Sequence, residues 1–334
     1  MATELEELIS KLPKAELHLH LEGTLEPEMM LEKTKKNNVK LPYKTIHDVR
    51  KAYYFKDLQS FLDLYYLGVS SLVDEQDFFD LAYAYFKKAA SQKVVRAEVF
   101  FDPQAHTRRG IDFSIVIKGI HRAAVKAEED FGMSIGIIMS FLRDLPESSA
   151  EETLEQAIQY KSWIIGVGLD SKELGNLPSK FERVFKKARD EGFIAVAHAG
   201  EEAPSEYIWE AIKLLKVSRI DHGYHMFEDE NLVNYIVENK IPVTMCPLAS
   251  LGVEYFKDIK EVPIKESLKR GIIVSINSDD PAYFGGYINE NYEAIAKALS
   301  LDYTEIKQIA KNSILSSFWN DKEKVKYIER VDKA

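Results

Sequence analysis

The sequence predicts an α/β fold: a (β/α)8, TIM-type barrel with an inserted helical lid and C-terminal helices. Three observations carry that reading. Short apolar runs recur near residues 15–20, 94–101, 134–141, 164–169, 193–198, 219–222, 242–246 and 272–277. Helix-like segments follow most of them, and strands alternating with helices in that number favour a closed parallel sheet. Several of the runs end in His or Asp, and the C-terminal ends of parallel barrel strands all open on the face that carries the active site.

In the first run, Glu16-Leu17-His18-Leu19-His20-Leu21-Glu22, alternate residues share a strand face, so both imidazoles point one way and the leucines the other. Such a pair alone is more often a hydrogen-bonded core pair than half a metal site. The helical insertion at about 55–92 holds two aromatic patterns, one with Phe61, Tyr65 and Tyr66, the other with Phe78, Phe79, Tyr83, Tyr85 and Phe86. Aromatic residues at helical spacing are usually core, so most are expected to pack on the barrel, with Phe61 or Tyr65 lining a lid over the pocket. Helical patterns follow at 113–129, 150–160, 178–190, 205–216 and 231–239, with Asp112 and Ser148-Ser149 as capping signals. His198 ends the fifth run and precedes Ala199-Gly200-Glu201. Arg219-Ile220-Asp221-His222-Gly223 closes the sixth, and the eighth ends at Asp279, followed by Asp280 and Pro281. The helical stretch at about 302–331 is expected to pack outside the barrel.

These strand ends lie far apart in sequence but converge in a barrel. Buried charges are costly unless paired or metal-bound. His18, His20, His198 and Asp279 therefore read as the ligands of a zinc-type catalytic site.

The 334 residues are 46% hydrophobic, ample for one large core. There is no low-complexity tract or Pro/Gly/Ser linker, so residues 1–334 are expected to form one metal-dependent barrel domain. With 44 basic and 54 acidic residues, the formal charge is −10. That balance argues against nucleic acid or an anionic membrane as partner; association with further copies of the chain stays open. The single cysteine, Cys246, rules out an internal disulfide and suits a reducing compartment; next to Pro247 in an apolar run, it reads as a small buried hydrophobe. The acidic start lacks a signal-peptide pattern, and no apolar run approaches membrane-spanning length. A cytoplasmic protein is expected.

The runs at 13–24 (Pro-Lys-Ala-Glu-Leu-His-Leu-His-Leu-Glu-Gly-Thr), His198-Ala199-Gly200-Glu201, Asp221-His222-Gly223 and Ser278-Asp279-Asp280-Pro281 resemble the signature set of the adenosine/adenine deaminases, zinc enzymes of the amidohydrolase superfamily. The resemblance covers nearly the whole chain. Within the family it points to the free-base branch: Glu22 stands where nucleoside enzymes carry Asp, and Phe100-Phe101-Asp102-Pro103-Gln104 with His106-Thr107, Gly168-Leu169-Asp170-Ser171 and the 281–287 run look alike to that branch. Two places depart. Ala249-Ser250 replaces an expected Ser-Asn, and His222-Gly223-Tyr224-His225 reads more like the nucleoside enzymes.

The resemblance implies zinc-dependent hydrolytic deamination of adenine, a small purine substrate, in purine salvage. One Zn2+ per chain is implied, with Fe2+ as the other ion a mixed His/carboxylate site accepts. Glu201 is implied as the proton donor to N1, which requires a raised pKa. His222 would orient the attacking hydroxide, Asp280 would hydrogen-bond the imidazole side of the purine, and Ser171 would bind N3 or the N9 edge. Glu22 would accept the N9 hydrogen that adenine has and adenosine lacks. The alternatives are a deaminase of a 6-aminopurine nucleoside (adenosine or aminodeoxyfutalosine), a non-catalytic purine-binding barrel, and a metal-dependent ester or lactone hydrolase. The complete set of metal residues counts against the second, and the purine-edge residues Asp280 and Ser171 count against the third.

Overall fold

Eight parallel strands stand in sequence order around the sheet: β1 (Lys14–Glu16), β2 (Val94–Phe101), β3 (Ser134–Leu142), β4 (Ile164–Asp170), β5 (Ile194–Ala199), β6 (Arg219–His222), β7 (Val243–Met245) and β8 (Val274–Ile276). The computed structural model describes residues 4–334. All eight predicted strands are present, and the barrel class follows from their order.

Closure happens beyond the first and last named strands. Leu17 N donates to the Asn277 side chain (2.8 Å) instead of to a backbone carbonyl, which ends the regular ladder of β1 at Glu16. The segment after it stays extended: Asp279 N donates to His18 O (3.1 Å) and His20 N to Asp279 O (3.0 Å). On the other side, Phe100 N donates to Leu19 O (2.8 Å) and Leu21 N to Phe100 O (2.9 Å). The predicted alternation survives, with Leu17, Leu19 and Leu21 fully buried.

The connection between β1 and β2 holds four helices, Pro27–Lys36, Ile46–Ala52, Leu58–Val69 and Glu75–Ser91, so the helical insertion starts well before residue 55. Its two aromatic patterns have different jobs. Glu75–Ser91 packs against Phe113–Phe131 as an ordinary barrel helix. Leu58–Val69 lies over the C-terminal mouth, where Phe61 and Tyr65 line the cavity. Capping boxes at Asp57 and Asp74 start both helices. The caps expected elsewhere differ. Asp112 sits at its N-cap without a side-chain bond. The helix expected from Ser148-Ser149 begins earlier, at Glu147, whose Oε1 is held by Arg183 N and Val184 N.

The helix Tyr303–Ser316 lies against β1 and β8, with Ala15 N donating to Ser313 Oγ (2.9 Å). The chain then turns inward. Phe318 packs on Phe100, Ile138 and Val196 inside the barrel, and its N–H donates to Glu98 Oε1 at 2.6 Å. Arg219 is fully buried there. Its guanidinium stacks 4.7 Å from the Phe318 ring and donates to Glu98 Oε2 (2.6 Å), Asp221 Oδ1 (3.4 Å) and Leu17 O (2.8 Å). No helix among the described residues is long and apolar enough to cross a membrane.

Removing Arg219 leaves two buried carboxylates short of a partner. Arg219→Met should lower the unfolding free energy by about 3–5 kcal/mol. Arg122→Met, which breaks the exposed pair with Glu75, should cost under about 1 kcal/mol. Urea denaturation of both variants checks this, and equal losses would contradict the assignment of Arg219 as the keystone of the interior.

Candidate metal and catalytic site

Backbone geometry aims the side chains. His198 lies within β5, and His222 is the last residue of β6. His222 (φ +70°), Asp279 (φ +63°) and Ser171 (φ +71°) all hold left-handed backbone without being glycine. Such conformations cost about 1–3 kcal/mol each and persist where the surroundings impose them. All three fall where a strand has just ended at the mouth. Gly23 answers a different need, since a Cβ there would lie 2.0 Å from Asp280 Oδ1.

The donor atoms converge. His20 Nε2 lies 3.1 Å from His198 Nε2 and 3.5 Å from Asp279 Oδ1, and His18 Nε2 lies 3.3 Å from the same oxygen. Ligands spaced tetrahedrally around an ion at ~2.0–2.1 Å stand roughly 3.3–3.4 Å apart, so these separations fit one shared cation. His222 joins them: His18, His198, His222 and Asp279 each offer an atom within 4.8 Å of the others. Five side chains thus meet where the sequence suggested four ligands.

The tautomer of His18 is fixed. Thr244 Oγ1 donates to Asp221 Oδ1 (2.9 Å), so it accepts from His18 Nδ1 (2.8 Å). The proton is therefore on Nδ1, and the buried Nε2 is left without a hydrogen-bond partner. An orphaned lone pair facing a carboxylate and further imidazoles fits a metal ligand. Burial pushes His20 down to about 4 and His198 and His222 well below the usual range, which keeps these imidazoles neutral. Burial opposes charge on His18 and Asp279 as well. Their mutual attraction outweighs it, raising the imidazole and holding the carboxyl low.

Glu201 is buried beside this cluster, with Oε1 3.5 Å from His222 Nε2. Burial first, then the Asp279 charge, raises its pKa well above the carboxylate range. Its loop is held by Glu173, which sequence reading missed. Glu173 Oε1 accepts from Gly200 N (2.8 Å), and Oε2 accepts from Glu201 N, Glu202 N and Ala203 N at 2.8–2.9 Å. Arg143 backs it, donating to His198 O at 2.7 Å. A Glu two residues after Ser171 was the only signal. Asp280 is buried, and burial with the neighbouring Asp279 raises its carboxyl well above the usual range.

A cavity opens above the cluster. Its walls include Glu201, His222, Asp280, Ser171 and the underside of the lid helix. Tyr66 OH donates to Ser171 Oγ (3.1 Å). Glu22 does not line it. Its Oε1 accepts from Asp102 N (3.1 Å) and from His106 Nε2 (2.8 Å), while its buried Oε2 has no partner. Asp102 and Asp170, which the sequence did not single out, do line the cavity. Burial raises both, Asp170 to about 7 and Asp102 well above its usual range, where the Asp170 charge adds to the effect.

Most of the departures from the expected motifs turn away from the cavity. Ser250 Oγ donates to Pro247 O (2.9 Å), Tyr224 OH bonds the Cys246 backbone, and His225 pairs with Glu228. Only Ala249 lines the cavity. Cys246 is fully buried, and its thiol is pushed well up.

The adenosine deaminase family profile matches residues 13–334. An adenine deaminase of Acinetobacter baylyi is 54% identical over 326 residues, 98% of either chain. One of Wolinella succinogenes is 51% identical over 327 residues, 98% of this chain and 99% of its own. The crystal structure of adenine deaminase from Arthrobacter aurescens aligns with a TM-score of 0.95 at 45% identity, over 96% of this chain and 98% of that one. Sequence and fold agree along almost the entire length, and the chain belongs to the adenosine deaminase family.

Proposed function

We propose that this protein, acting as one hydrolase domain, converts adenine and water to hypoxanthine and ammonia with one zinc ion per chain. The observation that carries the reading is the close approach of His18, His20, His198 and Asp279, 3.1–3.5 Å apart, beside a buried Glu201. The relatives named as adenine deaminases at 51–54% identity support the substrate. A place in purine salvage in the cytoplasm accords with that activity.

His18, His20, His198 and Asp279 would hold the ion, zinc or Fe2+. When bound, it supplies the Lewis acidity that makes water a strong nucleophile near neutral pH. Glu201, held protonated by burial, gives its proton to N1 as C6 is attacked, so negative charge does not build on the ring. His222 takes up the proton that the attacking water releases and passes it to the amino group, which leaves as ammonia; Glu201 regains a proton from the hydroxyl left on C6 as the carbonyl forms, and the proton on N1 stays in the product. Asp280 hydrogen-bonds N7. Ser171 stands at the N3/N9 edge, with Glu22 behind it.

Elemental analysis should find about one zinc per chain, as one closed ligand set implies. His18→Ala, His198→Ala and Asp279→Ala should lose both metal and turnover, whereas His222→Ala should keep the metal and lose turnover. Full turnover in metal-free protein would sink the reading. Retention of metal by His20→Ala, with loss in His222→Ala, would exchange those two roles.

Glu201→Gln cannot deliver a proton to N1. Its turnover should fall about 10²-fold or more at unchanged metal content. A near-normal rate would assign the proton to another group.

Wild-type protein should deaminate adenine with kcat/KM at least roughly 100-fold above adenosine. Ammonia release from both substrates decides it, and a preference for adenosine would make this a nucleoside enzyme.

A further inference from the structure

The proposed chemistry uses one side of the cavity and leaves the other unexplained. At the ends of β2 and β4, Asp102 and Asp170 line the cavity at 3% and 2% exposure. Asp102 Oδ1 and both Asp170 carboxylate oxygens have no hydrogen-bond partner, and neither does Glu22 Oε2 behind them. Native proteins rarely leave buried acceptors unpaired, because each costs about 1–3 kcal/mol. His20 Nδ1 lies 3.5 Å from Asp170 Oδ2 and Tyr65 reaches Asp102, yet acceptors outnumber donors on this wall, and a ligand that brings an N–H completes it.

Asp102 is the best-placed of these groups. Tyr65 OH of the lid helix donates to its Oδ2 (3.2 Å), and its backbone N–H is anchored on Glu22 Oε1 (3.1 Å). Glu22 is itself locked. Arg109 donates to His106 Nδ1 (2.9 Å), so the His106 proton is on Nε2 and points at Glu22 Oε1 (2.8 Å). Arg109 also holds Ser70 O and Leu72 O at the end of the lid helix. One oxygen of Asp102 is thus fixed by the lid, and the other is left free at the cavity.

We propose that Asp102 is a specificity-determining residue that accepts the ring N9–H of a free purine base. The inference rests on the adenine reading. With C6 at the metal cluster, N1 at Glu201 and N7 at Asp280, the N3/N9 edge is the one left to face this wall. A base substituted at N9 has no hydrogen to give, and its substituent leaves Asp102 Oδ1 without the donor that a free base brings.

The test compares adenine with 9-methyladenine, which removes the N9 hydrogen at the cost of one methyl group. Wild-type kcat/KM should favour adenine by about 100-fold or more. Asp102→Asn and Asp102→Ser should lose adenine activity mainly through KM and narrow that ratio by about 10-fold or more, at unchanged zinc content and melting temperature. Serine, smaller than asparagine, serves as the second variant if asparagine disturbs the turn before Pro103. Equal losses on both substrates would overturn the assignment. So would a wild-type enzyme that accepts 9-methyladenine as readily as adenine, whatever the variants do. No turnover of adenine by the wild type would instead refute the adenine reading itself, so the two failures are distinguishable.

Discussion

A hydrogen-bonded column of buried polar groups runs along the barrel axis, and the rest of the structure depends on it. Phe318 N–H fixes Glu98, Glu98 fixes Arg219, Arg219 reaches Asp221, and Asp221 receives Thr244, which in turn sets the proton of His18. Glu98, Arg219, Asp221, Thr244 and His18 are all fully buried, so each must be satisfied by the next. The plug at the bottom of the barrel and the lone pair at its top are therefore parts of one network. This explains why an interior that could have been filled with Val and Leu holds Arg, Glu, Asp and Thr.

A second set of contacts does the same for Glu201. Glu201 sits on a loop with no regular hydrogen-bonded structure of its own, and four consecutive backbone N–H groups find a common acceptor in Glu173. That carboxylate, backed by Arg143, makes the loop rigid without covering the cavity. Its negative charge also helps to keep Glu201 protonated. Positioning and pKa control come from the same group.

The fold was legible because its signals are local: apolar runs, helical periods and His or Asp at strand ends. The side chains of the candidate metal cluster were legible for the same reason, since His18 and His20 declare themselves by alternation, and His198 and Asp279 by ending apolar runs. What stayed hidden depends on partners far away in sequence. Asp102 and Asp170 look like ordinary strand-end acids until β2 and β4 bring them together in the cavity. Glu22 read as a residue facing substrate, yet one of its oxygens is occupied by Asp102 N and His106, a pairing across 80 residues or more that no local pattern encodes. The mixed role of the insertion was equally hidden, because Leu58–Val69 and Glu75–Ser91 carry similar aromatic patterns and only packing separates a mouth cover from a barrel helix.

The seam between the two ends of the barrel has a temporal meaning. His20 N–H bonds Asp279 O, and Asp279 N–H bonds His18 O, so the residues that zip the last strand onto the first are the same ones whose side chains converge in the candidate metal site. During synthesis His18 and His20 emerge almost at once, but their carboxylate partner follows only after most of the chain has been made. A fragment that stops before β8 has neither a closed cylinder nor the complete cluster. Closing the barrel and completing the cluster are thereby a single event, reached only when the polypeptide is nearly finished.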